Sequence, residues 1–395
     1  MKSQQPRVCV LAIGDEILNG RIVDTNSSFL GTELLKLSLP ISHKRCISDQ
    51  PQQLASTLEE LSKSFDLIIS SGGLGPTADD RVYSEVAQFG LICNKLKNPA
   101  GLADGLHLQF ENSCHYLALP GPPIECQQSF DCSVAPLLSK LFPDLKPIAY
   151  HTMHFVGTHE AELANQISDM FEPGNNPLLG ITASELGVTI SLLAHATANH
   201  PADHHLQLAR DTIAQRLSKW LWGEGDMTLA SEVVATAKQQ QLKVAFAESC
   251  TGGKLAASLI DVPGASAVVG SSWVVYSNEA KTEQLGVAHD LIERNGAVSE
   301  QVAIEMARGA LSRAKADIAV SVTGIAGPDG GSDEKPVGTV CFAIASKDGV
   351  YSMTRQQYVL GGRSRIQAQS VRDGLFLVLQ LMRGQIVLPN INKML

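Results

Sequence analysis

Apolar and polar residues alternate in blocks along this chain. The first block, Val8–Ile13 (VCVLAI), is uninterrupted and stops at Gly14-Asp15-Glu16. A short apolar run bounded by turn residues reads as a buried strand. Helical spacing follows over Ser27–Leu37, then a strand near Ile41–Ser48, a helix over Gln52–Ser64 and a buried strand over Asp66–Ser71. Strands that alternate with helices predict a parallel α/β sheet covered on both faces. Ligands of such sheets collect at the carboxyl ends of the strands. Two polar, glycine-bearing loops fall there, Gly14–Asn26 (GDEILNGRIVDTN) and Ser70–Asp80 (SSGGLGPTADD).

From about Pro147 to Gly225 the pattern changes. HTMHFVG is strand-like, HEAELANQISDMF helical, GVTISLLAHA an alternating strand, and ADHHLQLARDTIAQRLSKWL a helix, which predicts a β-α-β-α module. Beyond it, a helix over Thr228–Gln240 carries Leu229, Val233, Val234 and Ala237 on one face and leads into the strand Lys243–Ala247. Strand-like runs recur at Ala267–Val275, Val337–Ser346 and Val350–Leu360, with helices over Glu300–Lys315 and Arg363–Met382. Lys347-Asp348-Gly349 marks a hairpin. The expected organisation is α/β throughout: residues 1–146, a small α+β module at 147–225, and a mixed-sheet domain at 226–395.

Composition narrows the function classes. A length of 395 residues exceeds one ordinary core, and 44% hydrophobic content describes a folded, enzyme-like chain rather than a disordered one. A net charge of -9 offers no electrostatic footprint for DNA or RNA. Eight scattered cysteines without a C-x-x-C pair suit free thiols in a reducing cytoplasm. No stretch approaches the roughly 18 apolar residues of a membrane span, and the broken run at Val8–Ile13 is read as a strand rather than a secretory signal.

The densest chemistry lies at Lys243–Gly253 (KVAFAESCTGG), where an apolar run ends in an acid, a hydroxyl, a thiol, a hydroxyl and two glycines. Such a strand-to-helix turn presents a nucleophile, and the open N–H groups of the following helix form a site for an oxyanion or phosphate. Simple capping by Ser or Thr is the plainer alternative. Downstream lie Tyr276-Ser-Asn-Glu-Ala-Lys281, Ser321–Pro328 and Gly361-Gly362-Arg363, each beside a strand-like or helical run. A serine hydroxyl needs a base, and a desolvated lysine serves without histidine. Ser249 with Lys281 is therefore the candidate pair, with Tyr276 relaying protons or orienting the amine, while Cys250 is the rival nucleophile. In the first domain, Gly72, Gly73 and Gly75 would let backbone N–H groups approach an anion, and Asp79 with Asp80 could hold a hard cation. A tight turn with both acids near a helix N-terminus is the alternative there.

The motifs GDEILNGRIVDTN and GGLGPTADD resemble the N-terminal domain of the CinA (competence/damage-inducible) family, itself similar to the molybdopterin-binding fold of the MoaB and MogA proteins. That resemblance implies a nucleotide site at Gly14, Asp15, Asp24, Asn26, Gly72, Gly73, Thr77 and Asp80, and in some members an ADP-ribose pyrophosphatase dependent on divalent metal and potassium. Here Leu91–Leu96 runs almost directly into Asn98-Pro99-Ala100-Gly101, without the helical and polar stretch usual in the family. The domain is thus expected to fold but to lack that hydrolysis. Residues 147–225 resemble the family's KH-like module, without a G-x-x-G loop or basic face for RNA.

AESCTGG, YSNEAK, GAVSE, VTGIAGPDGG and EKPVGTV resemble the family's C-terminal domain, in its order. Members of that domain family are nicotinamide-nucleotide amidases, which convert nicotinamide mononucleotide (NMN) to nicotinate mononucleotide and ammonia in pyridine nucleotide recycling. The resemblance implies Ser249 as nucleophile, Lys281 as base and Tyr276 as auxiliary. It further implies a substrate cradle of Thr251, Gly252, Gly253, Asn278, Thr323, Gly324 and Arg363, with Gln367 standing where relatives often have arginine. No cofactor is expected for the amidase, and the expected partners are a small nucleotide and a second copy of the chain. A bifunctional protein that also hydrolyses ADP-ribose, and a non-enzymatic nucleotide-binding protein, are the two alternatives.

Overall fold

The computed structural model describes residues 5–77, 80–355 and 362–386. They contain three sheets. The first holds β1 (Val8–Ile13), β2 (Ile41–Ile47), β3 (Leu67–Ser71), β4 (Cys93–Leu96), β5 (Gly105–Gln109) and β6 (His115–Leu119), ordered β2-β1-β3-β6-β5-β4. The first four strands in that order are parallel, and their core side chains divide between the faces as predicted. Cys9, Leu11 and Ile13 enter one apolar cluster, while Val8 and Val10 enter the other. The sequence names no strand of this sheet beyond β3: β6 joins it in parallel, and β5 and β4 extend it antiparallel from β6. β4 (CNKL) is short and mostly exposed at the sheet edge, so it carries almost no hydrophobic signal. After Arg81 the chain forms only a short helix, Val82–Val86, and one tighter turn, Ala87–Phe89.

The second sheet contains β7 (Ile148–Phe155), β8 (Leu178–Ser184), β9 (Gly187–His195) and β10 (Leu221–Glu224), ordered β10-β7-β9-β8. Two of these strands, β8 and β10, were absent from the β-α-β-α expectation. β8 is largely exposed and lacks an apolar face. The expected helix ran through Leu221, the first residue of β10, whereas the helix stops at Arg216. Trp222 sits in β10, buried, with its ring stacked on His154 at 5.1 Å. His200, His204 and His205 cluster ring to ring, but no group of three or more potential metal ligands occurs among the described residues.

The third sheet is mixed, as expected: β11 (Val244–Glu248), β12 (Val269–Val274), β13 (Ile318–Gly324), β14 (Val340–Ser346) and β15 (Gly349–Arg355), ordered β12-β11-β13-β14-β15. β12, β11 and β13 are parallel, and β14 and β15 complete the predicted antiparallel hairpin. The part of the expected last strand beyond Arg355 lies outside the described residues up to Gly362. One face packs Val244, Phe246, Val320 and Phe342 against the helices Leu229–Gln239 and Gly362–Met382. The other presents small residues, Ala245, Ala247 and Ala319, to the helix Glu300–Ala314. That helix in turn lets Asn278–Leu285 come close: a Cβ on Gly309 would lie 2.1 Å from the Leu285 carbonyl oxygen. The glycine therefore sets how deeply the helix carrying Lys281 is seated.

The chain forms two compact units. One runs to Tyr150 and takes in Asn176–Leu178 and Leu192–Ala209; the other comprises His151–Asn175, Leu179–Ser191 and the chain from Arg210 onward. Among the described residues no helix is long and apolar enough to cross a membrane.

Within the first unit, His107 Nε2 and His115 Nδ1 lie 3.1 Å apart on neighbouring strands, both buried. Burial lowers both imidazole pKa values below the ordinary 6.5, and for His107 the charge of His115 adds to this. The unfolded chain then binds protons that the folded chain refuses, so stability falls as pH drops through the unfolded value. Urea unfolding of this unit should show a falling midpoint between about pH 7 and 5, and replacing both histidines with leucine should flatten that dependence.

Candidate active site

β11 ends in the buried Glu248, and the turn Ser249–Gly253 follows it into the helix Lys254–Ile260. Glu248 is wholly buried. Its Oε2 accepts from the N–H groups of Gly253 and Leu255, both at 3.0 Å, and its Oε1 from Ala256 at 2.8 Å. A carboxylate at the positive end of a helix satisfies donors that would otherwise be orphaned. These are the N–H groups that the sequence left open for a substrate oxyanion, so that expectation is corrected: the helix start is filled from within. Gly252 N–H is also engaged, by the Ser249 carbonyl at 3.2 Å, and Ser249 N–H by Val322 at 2.9 Å. The remaining amides of the turn are those of Cys250 and Thr251. Gly252 and Gly253 have φ of 63° and 94°, so the turn requires them for backbone conformation rather than for anion binding.

Lys281 enters from the helix Asn278–Leu285, whose first turn is capped by Ser277. The side chain is 1% exposed, and its Nζ lies 3.2 Å from Ser249 Oγ. The other contacts of Nζ are the carbonyls of Val275 at 2.9 Å, Tyr276 at 3.4 Å and Ser277 at 3.5 Å, and none is a carboxylate. Burial lowers the lysine pKa below 10.5, outweighing the opposing influence of Cys250 and Glu279. The amine is thus moved toward the neutral form that can accept a proton.

Tyr276 is placed differently from expectation. Its backbone carbonyl meets Lys281, but its ring is 63% exposed and its hydroxyl accepts from Arg363 Nη2 at 3.2 Å. The phenol therefore orients a guanidinium instead of the amine. Arg363 also donates from Nη1 to the Gly327 carbonyl at 2.9 Å and remains exposed.

Cys250 has its thiol in the apolar core, and burial pushes its pKa up to about 12, which removes the thiolate that a cysteine nucleophile needs. Thr323 is buried, with its hydroxyl donated to the Ala297 carbonyl at 2.9 Å. Gly324 packs against β14, where a Cβ would meet Val340 Cγ2 at 2.8 Å. Thr251 is wholly buried, its hydroxyl without a partner among the described residues, and Asn278 is exposed. Reading by sequence missed Glu248 and Gln367 as parts of the turn. An acid closing an apolar strand just before Gly-Gly was the available signal for Glu248; Gln367 stood out only as replacing an arginine usual in relatives, which gave no sign of its bond to the Cys250 carbonyl.

In the first unit a cavity of about 470 Å³ gathers Gly14, Asp24, Asn26, Gly72, Gly73 and Asp80, together with Glu16, Asp49, Ser71 and Gly121. Asp15 and Thr77 do not line it, although Thr77 donates from its amide and hydroxyl to Asp80. Asn26 Nδ2 donates to Ser71 Oγ at 2.6 Å and to the Gly121 carbonyl at 2.7 Å. Burial works against ionisation of Asp24, but hydrogen bonds from Ser27 and Lys44 outweigh it and lower the pKa. Asp79 lies outside the described residues. A divalent metal does not fit the acids that are described: Asp24 is spent on Ser27 and Lys44, Asp80 on Thr77, and no group of three or more potential ligands converges.

Fold and site together define a three-sheet α/β protein with a buried Ser–Lys pair on a strand-to-helix turn. Its sequence matches the CinA C-terminal domain over residues 226–382, a probable molybdopterin binding domain over 9–140 and the damage-inducible protein CinA KH domain over 150–223. A protein from Clostridioides difficile named as competence-damage inducible is 34% identical, across 92% of this chain and 96% of its own. Another so named, from Halothermothrix orenii, is 34% identical across 86% and 90%. The solved competence/damage inducible protein from Agrobacterium tumefaciens is 44% identical, covering 39% of this chain and 93% of its own with a TM-score of 0.38. The chain belongs to the competence/damage-inducible (CinA) family.

Glu248→Gln keeps the shape but turns an NH2 group toward backbone donors. A loss of about 1–3 kcal/mol in urea unfolding is expected for the second unit.

Proposed function

We propose that this chain is an amidohydrolase that converts NMN to nicotinate mononucleotide and ammonia by a Ser–Lys acyl-enzyme route, serving pyridine nucleotide recycling. The observation that carries this reading is the buried Lys281 amine 3.2 Å from Ser249 Oγ. Membership of the family and the match to its C-terminal domain support it.

In this scheme neutral Lys281 takes the hydroxyl proton as Ser249 Oγ bonds to the carboxamide carbon, giving a tetrahedral oxyanion. The C–N bond then breaks and the proton passes from Lys281 to the leaving ammonia. Water adds to the acyl-enzyme as Lys281 takes its proton, and the C–O bond to Ser249 breaks as Lys281 returns that proton to Oγ, releasing the acid and restoring the neutral amine. Arg363, exposed and steadied by Tyr276 and Gly327, supplies a planar donor fork for the substrate phosphate. No cofactor enters any step.

The cavity of the first unit supports a second reading beside the first, nucleotide binding without metal-dependent hydrolysis; its volume suits a small ligand. Assays of ADP-ribose with divalent metal and potassium should then yield no AMP, and metal-dependent AMP release would refute that reading.

Ammonia release from NMN tests the amidase. Ser249→Ala and Lys281→Met should each reduce kcat by about three orders of magnitude or more, whereas Cys250→Ala should stay within about tenfold of the parent. Because the base must be neutral, kcat/KM should rise with pH along an acid limb whose midpoint lies below 10.5. Full activity in the serine variant would sink the scheme.

A further inference from the structure

Two cations beside the Ser–Lys pair have no acid to neutralise them. Lys254, the first residue of the helix after the turn, is exposed, and its Nζ donates to Gln367 Oε1 at 2.6 Å. Arg363 is exposed as well, and its guanidinium donates to the Gly327 carbonyl and the Tyr276 hydroxyl. Neither forms an ion pair among the described residues, in a chain whose net charge is -9. Arg363 and Gln367 are four residues apart on the helix Gly362–Met382 and so share a face, one turn from each other, with the Lys254 amine held at the second of them. Both cations are also tied back to the reacting groups. Gln367 Nε2 donates to the carbonyl of Cys250, next to Ser249, at 2.8 Å. Tyr276, whose phenol holds Arg363, gives its backbone carbonyl to Lys281 Nζ at 3.4 Å. Between Ser249 and Lys254, Gly252 is exposed, and a Cβ built on it would meet nothing within 4 Å, so the turn borders open space there. A neutral amide suits such a lysine: it holds a flexible side chain in one place, which lowers the entropy cost of binding, and leaves the charge uncancelled.

We infer that Lys254 and Arg363 together form a seat for a phosphate monoester dianion, with Lys254 the residue that separates a mononucleotide from its nucleoside at this site. The inference rests on the amidase reading for the substrate, while the anion seat itself stands on the two cations. A planar fork and a point charge engage separate phosphate oxygens, and each such bond is charge-assisted.

The test uses the full chain and two measurements. One is ammonia release from NMN and from nicotinamide riboside, which lacks the phosphate. The other is titration with inorganic phosphate followed by phosphorus NMR. Lys254→Met and Lys254→Gln remove the charge from an exposed position. Both should raise KM for NMN by about 10- to 100-fold with kcat within about threefold, the pattern of lost uniform binding. Any turnover of the riboside should be unchanged, and Lys254→Arg, which keeps the charge, should restore most of the affinity for NMN. Both charge-removing variants should also bind inorganic phosphate more weakly than the parent. A parental KM for NMN in Lys254→Met, or an equal loss with NMN and the riboside, would show that the lysine only steadies Gln367 and would overturn the inference. A parent that releases no ammonia from NMN would refute the substrate assignment alone, because the phosphate titration still decides: weaker binding in the Lys254 variants upholds the seat, and equal binding overturns it.

Discussion

The C-terminal chemistry depends on an amine removed from water with no carboxylate among its hydrogen-bond partners. Surface lysines stay charged because water solvates them. Lys281 is 1% exposed and has three carbonyls and one serine hydroxyl in place of that water. Burial disfavours the ammonium form while nearby Cys250 and Glu279 favour it; burial prevails, and the pKa falls. An ion-pair partner would have reversed that balance and spoiled the base. The rest of the sheet maintains the condition: alanines on β11 and β13 admit the helix Glu300–Ala314, and Gly309 admits the helix that carries the lysine.

The same economy of charge shapes the turn opposite. A helix start exposes donors, and here the donors are satisfied by Glu248, an acid from the strand that precedes them. Hydrogen bonds from the turn and the helix start to Glu248, from Ser249 to Val322 of β13 and from Gln367 to the Cys250 carbonyl hold the turn in place. A thiol adjacent to the nucleophile is kept inert by the apolar core, although in isolation cysteine is the more reactive of the two. Neighbouring residues on one turn thus receive opposite environments, and reactivity follows the environment rather than the residue type.

The first unit shows how similar ingredients can lead elsewhere. Its cavity is lined by four acids, of which Asp24 and Asp80 are committed to nearby donors. Gly72, at φ 106°, passes so close to β1 that a Cβ would lie 2.3 Å from the Ile13 carbonyl oxygen. The glycines here serve the close approach of two strand ends, which forms the floor of the cavity, as much as any ligand.

Much of this protein was legible along the chain. The buried parallel strands, the C-terminal hairpin, the main helices and the Ser249 turn all follow from local periodicity and turn chemistry, which neighbouring residues carry themselves. The short edge strands β4, β8 and β10 were not legible, because a strand that is exposed or only four residues long owes its existence to its partner. Nor were the roles around the serine. Sequence placed Lys281 with Ser249 as a chemical proposal; burial of the amine, the turn of the Tyr276 phenol toward Arg363, and the grip of Gln367 on the Cys250 carbonyl were decided by tertiary structure. Each depends on distance and dielectric between segments far apart in the chain, quantities that no run of adjacent residues encodes.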